Sequence, residues 1–529
     1  MADHCSIQLD GTALTIEQVT AVANEGAKVT LSAQSMEEIQ AARQVVLLLS
    51  EGEKQIYGLN TGLGANKDRR IDPEDFLRFN RRILLSHSVA LPPFASKATV
   101  RATMLCRLNG MLVGVSGVDP KLPQMLCDML NNGIHPQLPL RGSVGLADLG
   151  NMAYIGLAMI GEGRVEYQGK IIPAATALKE AGLSPVQLGP KDGLPIVSSN
   201  ALTVALSVLL YTEICDLLHM AEGTYALTYE TQSYNPMFLD PRSLLKRPLL
   251  GQKESLSYVR ACLNGSNLWA SKNESLSGAI SFKAGYAVYG VVRDALRSLE
   301  LMLPNYLNSS DDCPMVLREE QEMISTANYV VTSLAVAWDT MAVALAHLSN
   351  LIANHIMRLD NPAFSGLPRF LRPEEKVIAY GTVQKTVSSL NSELRHLANP
   401  GSLDSLPTAN ESEDHGCNAP YVLRRIEKMV DILRYMVAIE AMHGAQAADL
   451  AGGRPSGAGT GLIYDAVRSA VPFLADDNRD LGADIQSIYE LVKDKRLLFH
   501  PRRKLNVKAR CTNPSESDCG VVQTSPPNT

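Results

Sequence analysis

The chain has 529 residues, 46% of them hydrophobic and 20% charged, with a formal net charge of −6 at pH 7. That balance specifies a globular core, and an acidic chain with no extended basic cluster does not suit a nucleic-acid partner. No signal-peptide pattern opens it and no apolar run reaches the roughly 18 residues of a membrane span, so no membrane partner and a cytoplasmic setting are expected.

In chain order, Leu14-Thr15-Ile16-Glu17-Gln18-Val19 and residues 35–51 have helical spacing, the second opening on a Ser35-Met36-Glu37-Glu38 capping box. Tyr57 follows in a loop broken by Gly58, Gly62 and Gly64; its hydroxyl is a candidate acid or base there, and equally a packed residue. Residues 72–89 form the next helix, with Arg78, Arg81 and Arg82 on its outer side and His87 reading locally as a C-terminal cap. After a helix over 97–112, the Gly-rich stretch Arg141 to Gly150 hands over to an apolar helix. Gly142 and Gly145 permit left-handed backbone, Asp148 is placed to cap, and the turn's amides form a natural anion cradle. Arg164 to Ile172 alternates around a glycine and predicts a small hairpin. The nine Cys include no Cys-x-x-Cys pair and read as reduced thiols.

From Asn200 onward helical periodicity dominates, over residues 201–222, 281–303, 324–359, 373–397, 421–450 and 485–498. These runs exceed the mean helix of about 11 residues, which predicts a bundle of long helices, and their apolar circumference predicts cover from neighbouring subunits. The expected organisation is an N-terminal region over 1–200, a long-helix bundle over 201–450, a C-terminal helical region over 451–512 and a disordered tail over 513–529. Arg502-Arg503-Lys504 reads as a solvated terminus, and Cys511 and Cys519 fall at the tail.

Ordered motifs then carry a resemblance. Tyr57-Gly58-Leu59-Asn60-Thr61-Gly62, Leu85-Ser86-His87-Ser88, Asn131-Asn132-Gly133-Ile134-His135-Pro136, Gly142-Ser143-Val144-Gly145, Ile160-Gly161-Glu162-Gly163, Asp404-Ser405-Leu406-Pro407-Thr408 and Glu413-Asp414-His415 resemble those of the histidine, phenylalanine and tyrosine ammonia-lyases and related aminomutases. The resemblance spans about Leu14 to Leu450. It implies a mainly α fold, with a central bundle of long helices, a loop-rich N-terminal region and a small β-hairpin, assembled as a homotetramer with active sites shared between subunits. It also implies elimination of ammonia from an aromatic amino acid, or transfer of the amine from the α to the β carbon.

In that family an internal Ala-Ser-Gly cyclises to the electrophile methylideneimidazolone, and a Tyr in the Tyr-Gly-x-Asn-Thr-Gly loop takes the β-proton. Here Gly145 is followed by Leu146, Ala147 and Asp148, so Ser and Gly are absent and the segment is one residue shorter. The resemblance implies Tyr57 as base, His87 beside the substrate ring and a retained Glu413, with His87 or Glu413 as the proton partner. It places Asn60, Gly64, Ser198, Lys283, Asn328 and Tyr329 on the substrate. Lys283 replaces a carboxylate-binding Arg, pairing as a point charge without the bidentate fork.

Three readings follow. The first is an enzyme working without methylideneimidazolone, other cofactor or metal. It uses Tyr57 for elimination, isomerisation, cyclisation or hydration of a small or biosynthetic-intermediate substrate, carboxylate-bearing among others, with the turn at 142–149 as amide cradle. Specialised metabolism is suggested by divergence alone. The second is ammonia-lyase or aminomutase activity retained by another route, with Leu276-Ser277-Gly278 as the alternative x-Ser-Gly. The third is a catalytically inactive scaffold or regulatory homologue.

Overall fold

The computed structural model describes residues 6–271 and 278–501. Leu276, Ser277, Arg502-Arg503-Lys504, Cys511, Cys519 and the tail from 513 lie outside the described residues. A parallel pair, Ile7–Leu9 (β1) with Val29–Leu31 (β2), flanks the first helix, Ile16–Thr20 (α1), which Thr15 and Gln18 close with a full capping box. The next helix, Ala33–Ser50 (α2), is capped by Ser32 rather than at Ser35. Ser35 is instead buried in the first turn, its hydroxyl donating to Asp10 O at 3.0 Å.

Phe76–His87 (α3), Lys97–Leu112 (α4), Lys121–Asn132 (α5) and Leu149–Met159 (α6) build the N-terminal region with small sheets between them. Leu91–Phe94 (β3) pairs antiparallel with Pro139–Arg141 (β5). His135–Pro136 (β4), Arg164–Tyr167 (β6) and Lys170–Pro173 (β7) form a second sheet, with β6 and β7 as the expected hairpin turning at Gly169. Two short helices, Ala174–Glu180 (α7) and Gly193–Val197 (α8), lead into the bundle.

The bundle is centred on Ala201–Thr231 (α9), which packs against α4, Leu250–Cys262 (α10), Gly285–Leu307 (α12), Ala419–Leu450 (α16) and Ala458–Ala470 (α17). Ile280–Lys283 (α11), Thr332–Leu359 (α13), Pro362–Ser365 (α14), Val383–Leu397 (α15) and Leu481–Lys493 (α18) complete it. α9 continues well past residue 222, and Glu222, fully buried within it, is paired with Arg293, whose Nε donates to it at 3.0 Å. The helix expected from 324 starts at Thr332, since Glu322–Ile324 (β9) pairs with Met315–Leu317 (β8).

α9 with its α8 lead-in, Gly193–Thr231, and α13 are long and apolar enough to cross a membrane by length and composition, which corrects the expectation that no such run exists. Their most apolar windows are 67% and 61% buried against the other helices, as bundle cores require. α10 and α12 approach through glycines: a Cβ on Gly251 would stand 2.1 Å from Gly290 O, and one on Gly290 2.6 Å from Gln252 N. In the N-terminal half buried ion pairs fix the loops, with Arg43 Nη1 to Asp192 Oδ1 at 3.0 Å and Arg107 reaching both Asp311 and Asp312.

Candidate active site

A cavity of about 990 Å³ opens where the Tyr57 loop, α3, the start of α6, α8 and the segments around Cys313, Tyr329 and Glu413 converge. The loop's shape is dictated locally. Gly58 adopts φ +73°, and a Cβ there would strike Leu194 Cδ2 at 2.5 Å, so only glycine fits. Asn60, 2% exposed, accepts from Ile56 N at 2.8 Å and donates to Lys54 O at 2.9 Å. It braces the loop from within and does not line the cavity, which corrects its expected place on the substrate. Tyr57 and Gly64 do line it, and Gly64 N–H donates to Tyr57 Oη at 3.2 Å. Burial raises the Tyr57 phenol above its ordinary value; the Gly64 amide opposes this, and Cys313 and Glu413 add to it.

His87, at the end of α3, lines the cavity with Nδ1 on Ile83 O at 2.8 Å. A ring nitrogen facing a carbonyl carries the proton, which leaves Nε2 as acceptor in the neutral ring. Glu413 is held by Thr408, whose hydroxyl donates to Oε2 at 2.9 Å, and a backbone bridge joins the same two residues. Ser198 and Tyr329 line the cavity too, and burial raises the Tyr329 phenol. Asn328, one residue away, faces a separate cavity of about 270 Å³ beside Asn200 and Asp311. Lys283 lies over the Phe238 ring at 5.0 Å and does not line the Tyr57 cavity within its own chain.

The turn at Gly145, Leu146, Ala147 and Asp148 is bound into the fold. Gly142 and Gly145 do take positive φ, as does Ala147 at +58°. Leu146 bridges Val330 and puts its side chain in the cavity lining, next to Leu149. The amides of Gly145, Ala147 and Asp148 donate to Ser143 Oγ, Tyr329 O and Ser199 O. An anion cradle built on them is therefore excluded. Asp148 does not cap α6; its carboxylate receives Thr203 N at 2.9 Å and the Thr203 and Ser143 hydroxyls at 3.0 Å. Full burial pushes its pKa up to about 6, although these bonds pull downward.

Arg69, Arg78, Arg82, Cys313 and Asp414 also line the cavity. All three arginines are exposed, as expected: Arg81 pairs with Glu162 at 2.6 Å and Arg78 with Asp75, and Arg78 and Arg82 reach the cavity wall as well. The i, i+4 spacing of Arg78 and Arg82, which puts both on one helix face with Ile83 and Ser86 beside it, was the available signal. Among the described cysteines Cys106, Cys127, Cys262 and Cys417 are buried, while Cys215 and Cys313 are partly exposed, and all six are free. Among the described residues no cluster of His, Cys, Asp and Glu is arranged to hold a metal.

The family model for aromatic amino acid lyases matches residues 14–469. The chain belongs to that family. A histidine ammonia-lyase of Natranaerobius thermophilus is 34% identical over 93% of this chain and 98% of its own, and one of Treponema denticola is 33% identical over 92% and 97%. Among solved structures, the ergothioneine-degrading ergothionase of Treponema denticola, in complex with desmethyl-ergothioneine sulfonic acid, superposes with a TM-score of 0.91 at 38% identity, covering 93% of this chain and 100% of that one. Tyrosine aminomutase of Streptomyces globisporus gives 0.88 at 28%, covering 93% and 98%.

These relatives correct two expectations for this aromatic amino acid lyase. The first reading, a different reaction run without the family's electrophile, gives way to the ammonia-lyase reading, because near-full-length relatives are named histidine ammonia-lyases. The expectation of no cofactor falls with it, since that branch is the one in which the resemblance implies methylideneimidazolone. The residues at the usual position nevertheless do not fit that group. Between Gly145 and Asp148 stand an isobutyl and a methyl side chain, with no serine hydroxyl to eliminate and no second glycine to close the ring. The turn is also pinned by its bonds to Tyr329 and Ser199.

Proposed function

We propose that this lyase eliminates the α-amine of an imidazole-bearing amino acid, histidine or a derivative such as ergothioneine, with Tyr57 as the base. The observation that carries the reading is the Gly64 amide on the Tyr57 hydroxyl inside the shared cavity. An N–H donor at that oxygen favours the phenolate, the form that accepts a proton. In the elimination the phenolate takes a hydrogen from Cβ, the Cβ–H electron pair becomes the Cα=Cβ bond, and the Cα–N bond breaks to release the amine. His87 and Ser86, in the cavity wall, contact the imidazole ring; the α-ammonium leaves as the neutral amine, and Glu413, fixed by Thr408, receives the abstracted proton from Tyr57. Arg82 has no ion-pair partner among the described residues and supports the substrate carboxylate.

Steady-state assays with histidine and with ergothioneine, following the conjugated acrylate by absorbance and the released amine chemically, test this. Tyr57→Phe lowers kcat by about 10² to 10⁴ with KM little changed. Absence of turnover with both substrates, or full activity in the Phe variant, rejects the reading. We also propose a homotetramer in which Lys283 serves a neighbour's cavity; its distance from the Tyr57 cavity of its own chain and the exposed Leu301, Val336 and Val343 support this.

A further inference from the structure

The motif Asn131-Asn132-Gly133-Ile134-His135-Pro136 plays no part in the reaction above. It ends α5 and forms β4, and with the first turn of α4 it bounds a separate pocket of about 580 Å³. At the floor lie Arg101 and His135, 5% and 2% exposed. Arg101 Nε donates to Val22 O at 2.7 Å, and Nη1 donates to Leu130 O at 3.0 Å and His135 Nε2 at 3.1 Å. His135 receives on Nε2, so its proton sits on Nδ1, donated to Glu166 at 2.7 Å. Burial holds the His135 pKa down, consistent with a neutral ring.

Arg101 is thus a buried guanidinium whose protein partners are two carbonyls and a neutral imidazole. Among the described residues no carboxylate pairs with it, and Nη2 has no protein acceptor. Buried charges are ordinarily paired. The helix-end carbonyls of Val22 and Leu130 offset part of the charge, but the rim adds more. Lys97, at the first position of α4, and Lys28, bonded to Asn131 O, line the pocket against a single acid, Glu25.

We propose that this pocket binds a small oxyanion, a phosphate or carboxylate group, on Arg101 Nη2 with Lys28 and Lys97 at the rim. The positive end of α4 and a planar guanidinium edge suit such a ligand. Calorimetric titration of the full-length protein with inorganic phosphate and, separately, with acetate, at constant ionic strength in chloride, tests it. Saturable binding is expected, tightest for the group that the site selects. In Lys28→Gln/Lys97→Gln the dissociation constant rises at least tenfold while kcat is unchanged; in Arg101→Met binding is lost. The exposed rim variant keeps the test valid if Arg101→Met does not fold. No saturable binding of either anion overturns the proposal. So does an unchanged dissociation constant in the rim variant, which would place the anion elsewhere, such as the arginines of the main cavity.

Discussion

Tyr57, half-buried in the cavity wall, and Asp148, fully buried behind it, are both raised by burial, with different consequences. Because burial raises the Tyr57 phenol, the base is largely protonated at neutral pH and its reactive fraction grows with alkalinity. The expected kcat/KM profile climbs about tenfold per pH unit on its acid side and is still rising at pH 10, since the phenol is raised above its ordinary value of 10.0; a profile flat from pH 6 to 10 would remove Tyr57 from the titrating step. Asp148 behaves in the opposite sense to a salt-bridged carboxylate. Its pKa rises from 3.8 to about 6 on folding, so the folded chain holds more protons in that window. Its contribution to stability is full below about pH 3.8 and is lost as pH rises through 6. Asp148→Asn should flatten that part of the stability curve in urea melts. It should also cost about 1–3 kcal/mol, because an amide offers one acceptor atom to three donors.

At the scale of elements, close approach and anchoring decide what the bundle can hold. α10 and α12 touch backbone to backbone at Gly251 and Gly290, so Gly290→Ala forces a methyl onto Gln252 N. A loss of about 1–3 kcal/mol is expected from urea unfolding, and a neutral outcome would mean that the two helices slide apart at no cost. The short α11 is gripped by core side chains. Tyr225 Oη donates to Phe282 O at 2.5 Å, and His355, bonded to Glu440 through Nδ1 at 2.8 Å, meets Ser281 O at 2.9 Å through Nε2. These bonds satisfy carbonyls that a four-residue helix cannot pair internally. They fix the backbone from which Lys283 projects.

For the whole molecule, α12 and α13 carry apolar residues that the single chain leaves uncovered: Leu301, Val336 and Val343 are 71%, 51% and 46% exposed. Val336 and Val343 are two helical turns apart on one face. If that face packs against neighbours, light scattering gives a tetramer, and Val336→Asp with Val343→Asp releases smaller species and loses activity because the site loses its Lys283. A tetramer that survives both aspartates would mean that the association uses other surfaces.

Much of the architecture was legible in the chain itself. The three-and-four spacing placed α4, α9, α13 and α16, the glycine-centred alternation placed β6 and β7, and the ordered motifs gave the family, because each signal is local or strictly sequential. Helix ends were less legible: α9 runs on past Glu222, whose buried carboxylate is paired by Arg293, a residue far along the chain. The cavity was decided by tertiary packing. Asn60 and Asp148 turn inward to satisfy backbone and hydroxyl donors, Arg78 and Arg82 line the cavity, and Asn328 and Lys283 fall outside it. Sequence determines which residues are polar and roughly which face they occupy. Which of them meet depends on contacts between segments hundreds of residues apart, where burial makes each donor and acceptor find a partner.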